Sequence, residues 1–114
     1  MLVLGRFPDE SITIGENTLL TVRDVYKDQI RFSMGKILNG TENMQEPGQP
    51  LKVGQKVYLS TDVVLTLVRI ELHGRVGLCA ILGFQAPKRI PIHRKELYDK
   101  LLAAGRDKLT LVKK

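Results

Sequence analysis

Two long apolar runs, VVLTLVRIEL (63–72) and RVGLCAILGF (75–84), meet at the turn dipeptide His73-Gly74. Both are dominated by β-branched and aliphatic residues, and the glycine-containing turn between them reads as an antiparallel hairpin. A hairpin this apolar has to bury itself against further strands. The rest of the chain offers them. LVLGRF (2–7) alternates and stops at Pro8-Asp9, and SITIG (11–15) ends at a glycine. TLLTVRDVY (18–26) turns at Lys27-Asp28 into QIRFSM (29–34), with Ile30, Phe32 and Met34 on one face. VYLS (57–60) and KRIPIHR (88–94) are further strand signals. Only ELYDKLLAAG (96–105) has helical periodicity, with Leu97, Tyr98, Leu101 and Leu102 on one stripe and Gly105 at its end. Beyond it, RDKLTLVKK reads as a basic tail, frayed at its end. The expected architecture is about eight antiparallel strands and a C-terminal helix, hence all-β in class.

Residues 35–50, GKILNGTENMQEPGQP, interrupt this pattern with three glycines and two prolines among polar residues. They are expected to be a connector or exposed excursion, with Ile37-Leu38 as a small apolar knot. A single domain over 1–114 is then divided into a first strand set (1–34), a linker (35–50), a second strand set (51–84) and a final strand, helix and tail (85–114). The two strand sets echo each other. A shift of 46 residues lays Val22-Arg23 on Val68-Arg69, Lys27-Asp28 on His73-Gly74, and Ile30, Phe32 and Met34 on Val76, Leu78 and Ala80. Strand, turn and strand match in phase, although any two β-hairpins would share that much.

Charge separates the ends of the chain. Residues 1–34 carry four Lys/Arg against five Asp/Glu, residues 35–84 five against four, and residues 85–114 nine against three. The last thirty residues therefore hold the whole net charge of +6. The segment QAPKRIPIHRKELY (85–98) gathers Lys88, Arg89, Arg94 and Lys95 with His93 around a short strand that runs into the helix. A field concentrated in this way suits a polyanion.

The catalytic inventory is thin. His73 and His93 are far apart, no His/Cys/Asp set has metal-ligand spacing, and neither a nucleophile elbow nor a phosphate-binding glycine loop is present. Cys79, the only cysteine, lies in GLCAIL and reads as a small buried thiol. Glu96 reads as favourable first-turn charge on the helix dipole. The expectation is a protein that is not an enzyme and needs no cofactor or metal. With no signal-peptide pattern and no apolar run of spanning length, a cytoplasmic protein without membrane association is expected. The basic residues sit on a strand and at a helix start, an arrangement suited to single-stranded or looped RNA rather than to the major groove of DNA.

MLVLGRFPDESITIG with LTVRDVYKDQIRFSM, and then QAPKRIPIHRKELYDKL, resemble the N- and C-terminal parts of the carbon storage regulator family of bacterial translational regulators. The two blocks cover about half of the chain. The resemblance implies a five-stranded, domain-swapped homodimer that binds GGA motifs in messenger leaders, blocks ribosome access and has two equivalent sites. Strand one of one subunit and strand five of the other build each site. It further implies RNA contacts at Leu4 and Arg6 on the first strand and at Ile92, His93 and Arg94 on the last, with Arg94 the main guanine or phosphate contact. Lys88, Arg89 and Lys95 add charge. Phe7 stands where the family usually has a second arginine, and Lys95 where it usually has a glutamate. Small regulatory RNAs and a flagellar assembly protein are the further partners implied.

The extra residues 35–84 set this chain apart from the family. With the internal repeat, they suggest most of a dimer on one chain, lacking one first strand and one fifth strand, and hence one composite RNA site. The alternatives are an ordinary homodimer carrying an inserted hairpin, and a protein-interaction or antagonist module that sequesters partners in the same pathway.

Overall fold

The structure is a computed structural model, and it describes residues 1–38, 40–44 and 48–104. The described residues form ten strands and one helix: β1 (Leu2–Arg6), β2 (Ser11–Ile14), β3 (Thr18–Val25), β4 (Gln29–Leu38), β5 (Thr41–Met44), β6 (Gln49–Lys52), β7 (Lys56–Ser60), β8 (Val63–His73), β9 (Gly77–Gln85), β10 (Ile92–Arg94) and α1 (Lys95–Ala103). The all-β class with a C-terminal helix is as the periodicity predicts. No helix among the described residues is long and apolar enough to cross a membrane.

Two antiparallel sheets pack face to face. One has the order β1-β9-β8-β7. The other runs β10-β2-β3-β4, with β5 and β6 lying end to end along the far edge of β4. Alternation along the strands sends one set of side chains inward. Ile12, Leu20, Val22, Ile30 and Phe32 come from one sheet and Val63, Leu65, Leu67, Leu82 and Phe84 from the other, all buried in one cluster. Cys79 is buried behind this layer, and burial pushes its thiol above the ordinary range.

The internal repeat is real, and it is longer than the sequence pattern suggests. The turn after β1 and the turn after β6 are built by the same four hydrogen bonds. Phe7 N–H donates to Glu10 Oε1 (2.8 Å), as Lys52 N–H does to Gln55 Oε1 (3.0 Å). Glu10 N–H donates to the Phe7 carbonyl and Gln55 N–H to that of Lys52. Asp9 N–H reaches the Val22 carbonyl and Gly54 N–H that of Leu67; Val22 N–H returns to Glu10 and Leu67 N–H to Gln55. Asp9 and Gly54 share the left-handed backbone at φ 71° and 85°. A β-bulge follows in each copy, between Val22 and Asp24 and between Leu67 and Arg69. The spacing up to the bulge is therefore 45 residues (Glu10 to Gln55), one fewer than the sequence reading gives. Past the hairpin it is 50, since Ile30, Phe32 and Met34 correspond to Ala80, Leu82 and Phe84 rather than to Val76, Leu78 and Ala80. The β8–β9 hairpin is five residues longer than β3–β4, and Val76 lies at its exposed turn.

The segment 35–50 also departs from expectation. It is not a plain connector: β4 runs on to Leu38, and β5 and β6 pair back onto it. Pro50 fits β6 because the strand is an edge that needs no donor on its outer side. β6 lies on β4 (Leu51↔Ile30, Gln49↔Phe32) in the register that β1 takes on β9 (Arg6↔Ala80, Leu4↔Leu82). A second first-strand equivalent is thus present, and a second β10 and a second helix are missing among the described residues.

The outer face of the six-stranded sheet is covered too. Thr13, Leu19, Thr21 and Ser33 are buried there, beneath Tyr98 of α1 and Met44 of β5. Gly35 makes this close approach possible, since a Cβ at that position would overlap the Asn43 carbonyl and lie 2.8 Å from Met44 Cα. Gly35→Ala is expected to destabilise the chain by roughly 1–3 kcal/mol through overpacking, read from urea unfolding.

Candidate nucleic-acid interface

β1 and β10 come from opposite ends of the chain and are the outermost strands of different sheets. β10 is short because Pro91 precedes it; residues 88–90 form a turn, so the predicted strand 88–94 narrows to Ile92–Arg94. It pairs with β2 as Ile92↔Ile14, His93↔Thr13 and Arg94↔Ile12. An open cleft of about 310 Å³ separates the two strands, with Met1 and Leu2 on one side, Lys88, Ile90 and Ile92 on the other, and Phe84–Pro87 as floor.

Arg6 holds the two strands in place. It is the last residue of β1, points inward beside Leu4, and is 3% exposed. Its guanidinium donates to both carboxylate oxygens of Glu96 (2.8 and 2.7 Å), to the Ser11 carbonyl on β2 (3.0 Å) and to the Gly5 carbonyl. Glu10 approaches within 3.6 Å. One side chain thereby joins the end of one sheet to the first strand of the other and to the first turn of α1. The bidentate geometry is the strong form of this pair. Hydrogen bonding from Arg6 lowers the Glu96 carboxyl from its ordinary 4.5 to about 2, against the effect of desolvation. The same bond raises Arg6. One turn on, the Tyr98 hydroxyl donates to the Glu16 carbonyl (2.8 Å) and docks the helix on the β2–β3 turn.

The eight residues singled out from the sequence fall into distinct roles. Leu4 and Ile92 are partly buried against the core. Arg6 is consumed by its internal bonds, so the surface position implied by the resemblance is not the one it holds. Arg89 pairs with Asp62 in the β7–β8 turn. Lys95 is held by Asp99 (2.6 Å) and by Glu42 of β5 (3.3 Å). His93 is half-buried; Thr13 Oγ1 donates to its carbonyl, and its Nε2 has no partner among the described residues. Lys88 and Arg94 are exposed and make no ion pair within 4 Å among the described residues. They are the cations this surface leaves available. Charge counting alone treats all five as equals; a carboxylate three or four residues along a helix (Asp99 to Lys95) was the one sequence signal that separates them. Of the predicted helical stripe only Tyr98 is buried, and Leu97 and Leu102 stay 40% exposed. The expected helix end at Gly105 and the basic tail lie outside the described residues. Among the described residues no group of three or more His, Cys, Asp or Glu could hold a metal ion.

The ion pair makes a prediction about acid. Glu96 titrates lower in the folded chain than in the unfolded one, so the stability it contributes is complete above pH 4.5 and is lost as the pH falls toward 2. Wild type should therefore lose stability over that interval in urea titrations at stepped pH, and Glu96→Gln should lose less over the same interval.

Comparison with known proteins agrees with this architecture. The model of the CsrA global regulator protein family matches residues 51–103, which run from β6 through α1. The translational regulator CsrA of Thermotoga maritima is 38% identical over 50 residues, covering 44% of this chain and 54% of that protein. That of Thermosipho melanesiensis is 34% identical over 55 residues (48% and 67%), and that of Thermosipho africanus 30% identical over 56 residues (49% and 70%). The chain thus spans about half the length of the Thermotoga relatives it matches. No solved structure matches. The matched stretch is one full copy of the internal repeat with its last strand and helix, and residues 1–38 are a second copy placed before it. On the family model and these relatives together, the chain belongs to the CsrA family of global regulator proteins.

Proposed function

We propose that this protein is an RNA-binding regulator of translation in which one chain supplies both halves of a single composite site for GGA-containing single-stranded or hairpin-loop RNA. The observation that carries this reading is the meeting of β1 and β10, the outermost strands of two different sheets, around one cleft within one polypeptide. Relatives of the chain bear the name translational regulator. An exposed strand edge with unpaired cations beside it suits RNA whose bases are splayed out. In this reading Arg94 makes the guanine or phosphate contact and Lys88 adds a phosphate contact. Leu4, Ile92 and His93 shape the surface on which bases lie, and Arg6 positions β1 against β10. Binding in a messenger leader would block ribosome access.

The counterpart of this site across the repeat cannot do the same. Gln49, Pro50 and Leu51 stand in the register of Leu4, Gly5 and Arg6, and no strand takes the place of β10 among the described residues. One chain should therefore bind one RNA, and a single copy should suffice where the family's arrangement needs two.

Arg94→Ala is expected to weaken binding of a GGA hairpin by about tenfold or more, the worth of a charge-assisted hydrogen bond, and to lower the dependence on salt by about one phosphate contact. Its unfolding midpoint should stay at the wild-type value, whereas Arg6→Ala should lower that midpoint. Unchanged RNA affinity in Arg94→Ala, measured by fluorescence anisotropy at fixed salt, would remove the proposed site.

A further inference from the structure

We propose that the outer edge of β7 is a binding site for an extended acidic segment of a partner protein, which adds to the four-stranded sheet as a fifth strand. In the internal repeat Ile12, Thr13 and Ile14 of the other copy correspond to Val57 and Tyr58 in register and to Leu59, at a β-bulge, in sequence order. β10 lies on Ile12, Thr13 and Ile14, and they are 0%, 0% and 7% exposed. No strand lies on β7 among the described residues. Val57 and Leu59 accordingly stay only partly buried, and Tyr58 is 72% exposed. An open cleft of about 430 Å³ runs along this edge, bordered by Met34, Lys36 and Gln49 opposite Val57, Tyr58 and Leu59. It is the repeat-related counterpart of the cleft between β1 and β10, without the strand that occupies one wall there. The edge thus combines unpaired backbone groups with an incompletely covered apolar floor, the combination that recognises a peptide by strand addition.

Charge selects the occupant. Lys36 and Lys56 are exposed beside the slot, and neither pairs with a carboxylate among the described residues. A second copy would set Lys56-bearing edges against each other in a chain of net charge +6, and like charges across a strand pair are destabilising. A nucleic acid would satisfy the lysines and leave the backbone ladder and apolar floor unused. A strand that alternates apolar and acidic residues satisfies all three. The site lies on a different strand edge from β1 and β10, and it goes beyond the RNA-binding reading.

The test is titration of the intact, 15N-labelled chain with a synthetic decapeptide alternating valine and glutamate, followed by amide shifts. Saturable changes at Lys56–Ser60 are expected, with affinity falling at least about tenfold in a Lys36→Glu, Lys56→Glu double variant whose other amides are unmoved. A peptide with lysine in place of glutamate should leave the wild type unchanged. No saturable change at millimolar peptide would overturn the proposal. So would movement of the same amides by single-stranded RNA instead of the peptide, or by self-association without either.

Discussion

The bidentate bond between Arg6 and Glu96 is the interaction on which the rest of this structure depends. A guanidinium that is 3% exposed must have its donors satisfied, and here Glu96, Ser11 and Gly5 satisfy them. Those partners belong to α1, β2 and β1. The first strand is therefore locked to the first turn of α1 and to β2 of the other sheet. The repeat supplies an internal control. Leu51 occupies the register of Arg6 in the other copy, where no helix follows among the described residues, and it is buried in the core. Arginine stands where the carboxylate of Glu96 meets it, and leucine where its neighbours are apolar.

This asymmetry underlies the single composite site proposed for the chain. Both copies keep the first-strand turn with its left-handed residue, the bulge and the core positions. Among the described residues only one keeps the last strand and helix. In the other, β4 continues past its counterpart and folds back as β5 over the outer face of the sheet, where Glu42 meets Lys95 at the start of α1. The same departure leaves the edge of β7 without a strand on it among the described residues. Loss of one strand thus underlies both proposals, a single nucleic-acid site and an open place for a peptide.

Much of the fold was legible in the sequence. Alternation in 29–34, and the glycine turn after His73, were readable because inward and outward positions are fixed once one face is apolar. The repeat was visible in phase but not in length, because the five extra residues lie in the β8–β9 hairpin, where exposed residues such as Val76 imitate the core pattern. β5 and β6 were hidden by glycine and proline. Both residues usually mark loops, yet Gly35 serves close packing and Pro50 an outer edge. The roles of the cations could not be read from charge. Arg6, Arg89, Lys95 and Arg94 look alike in a sequence, and only the carboxylates brought up by folding (Glu96, Asp62, Glu42 and Asp99) show which of them are already engaged.

The central claim is that both halves of the RNA site lie in the same molecule. Native mass spectrometry of the chain with a single GGA hairpin tests this most directly. The account predicts a complex of one 12.8 kDa chain with one RNA as the dominant species across protein concentration. A complex of two chains with two RNAs, persisting on dilution, would contradict it.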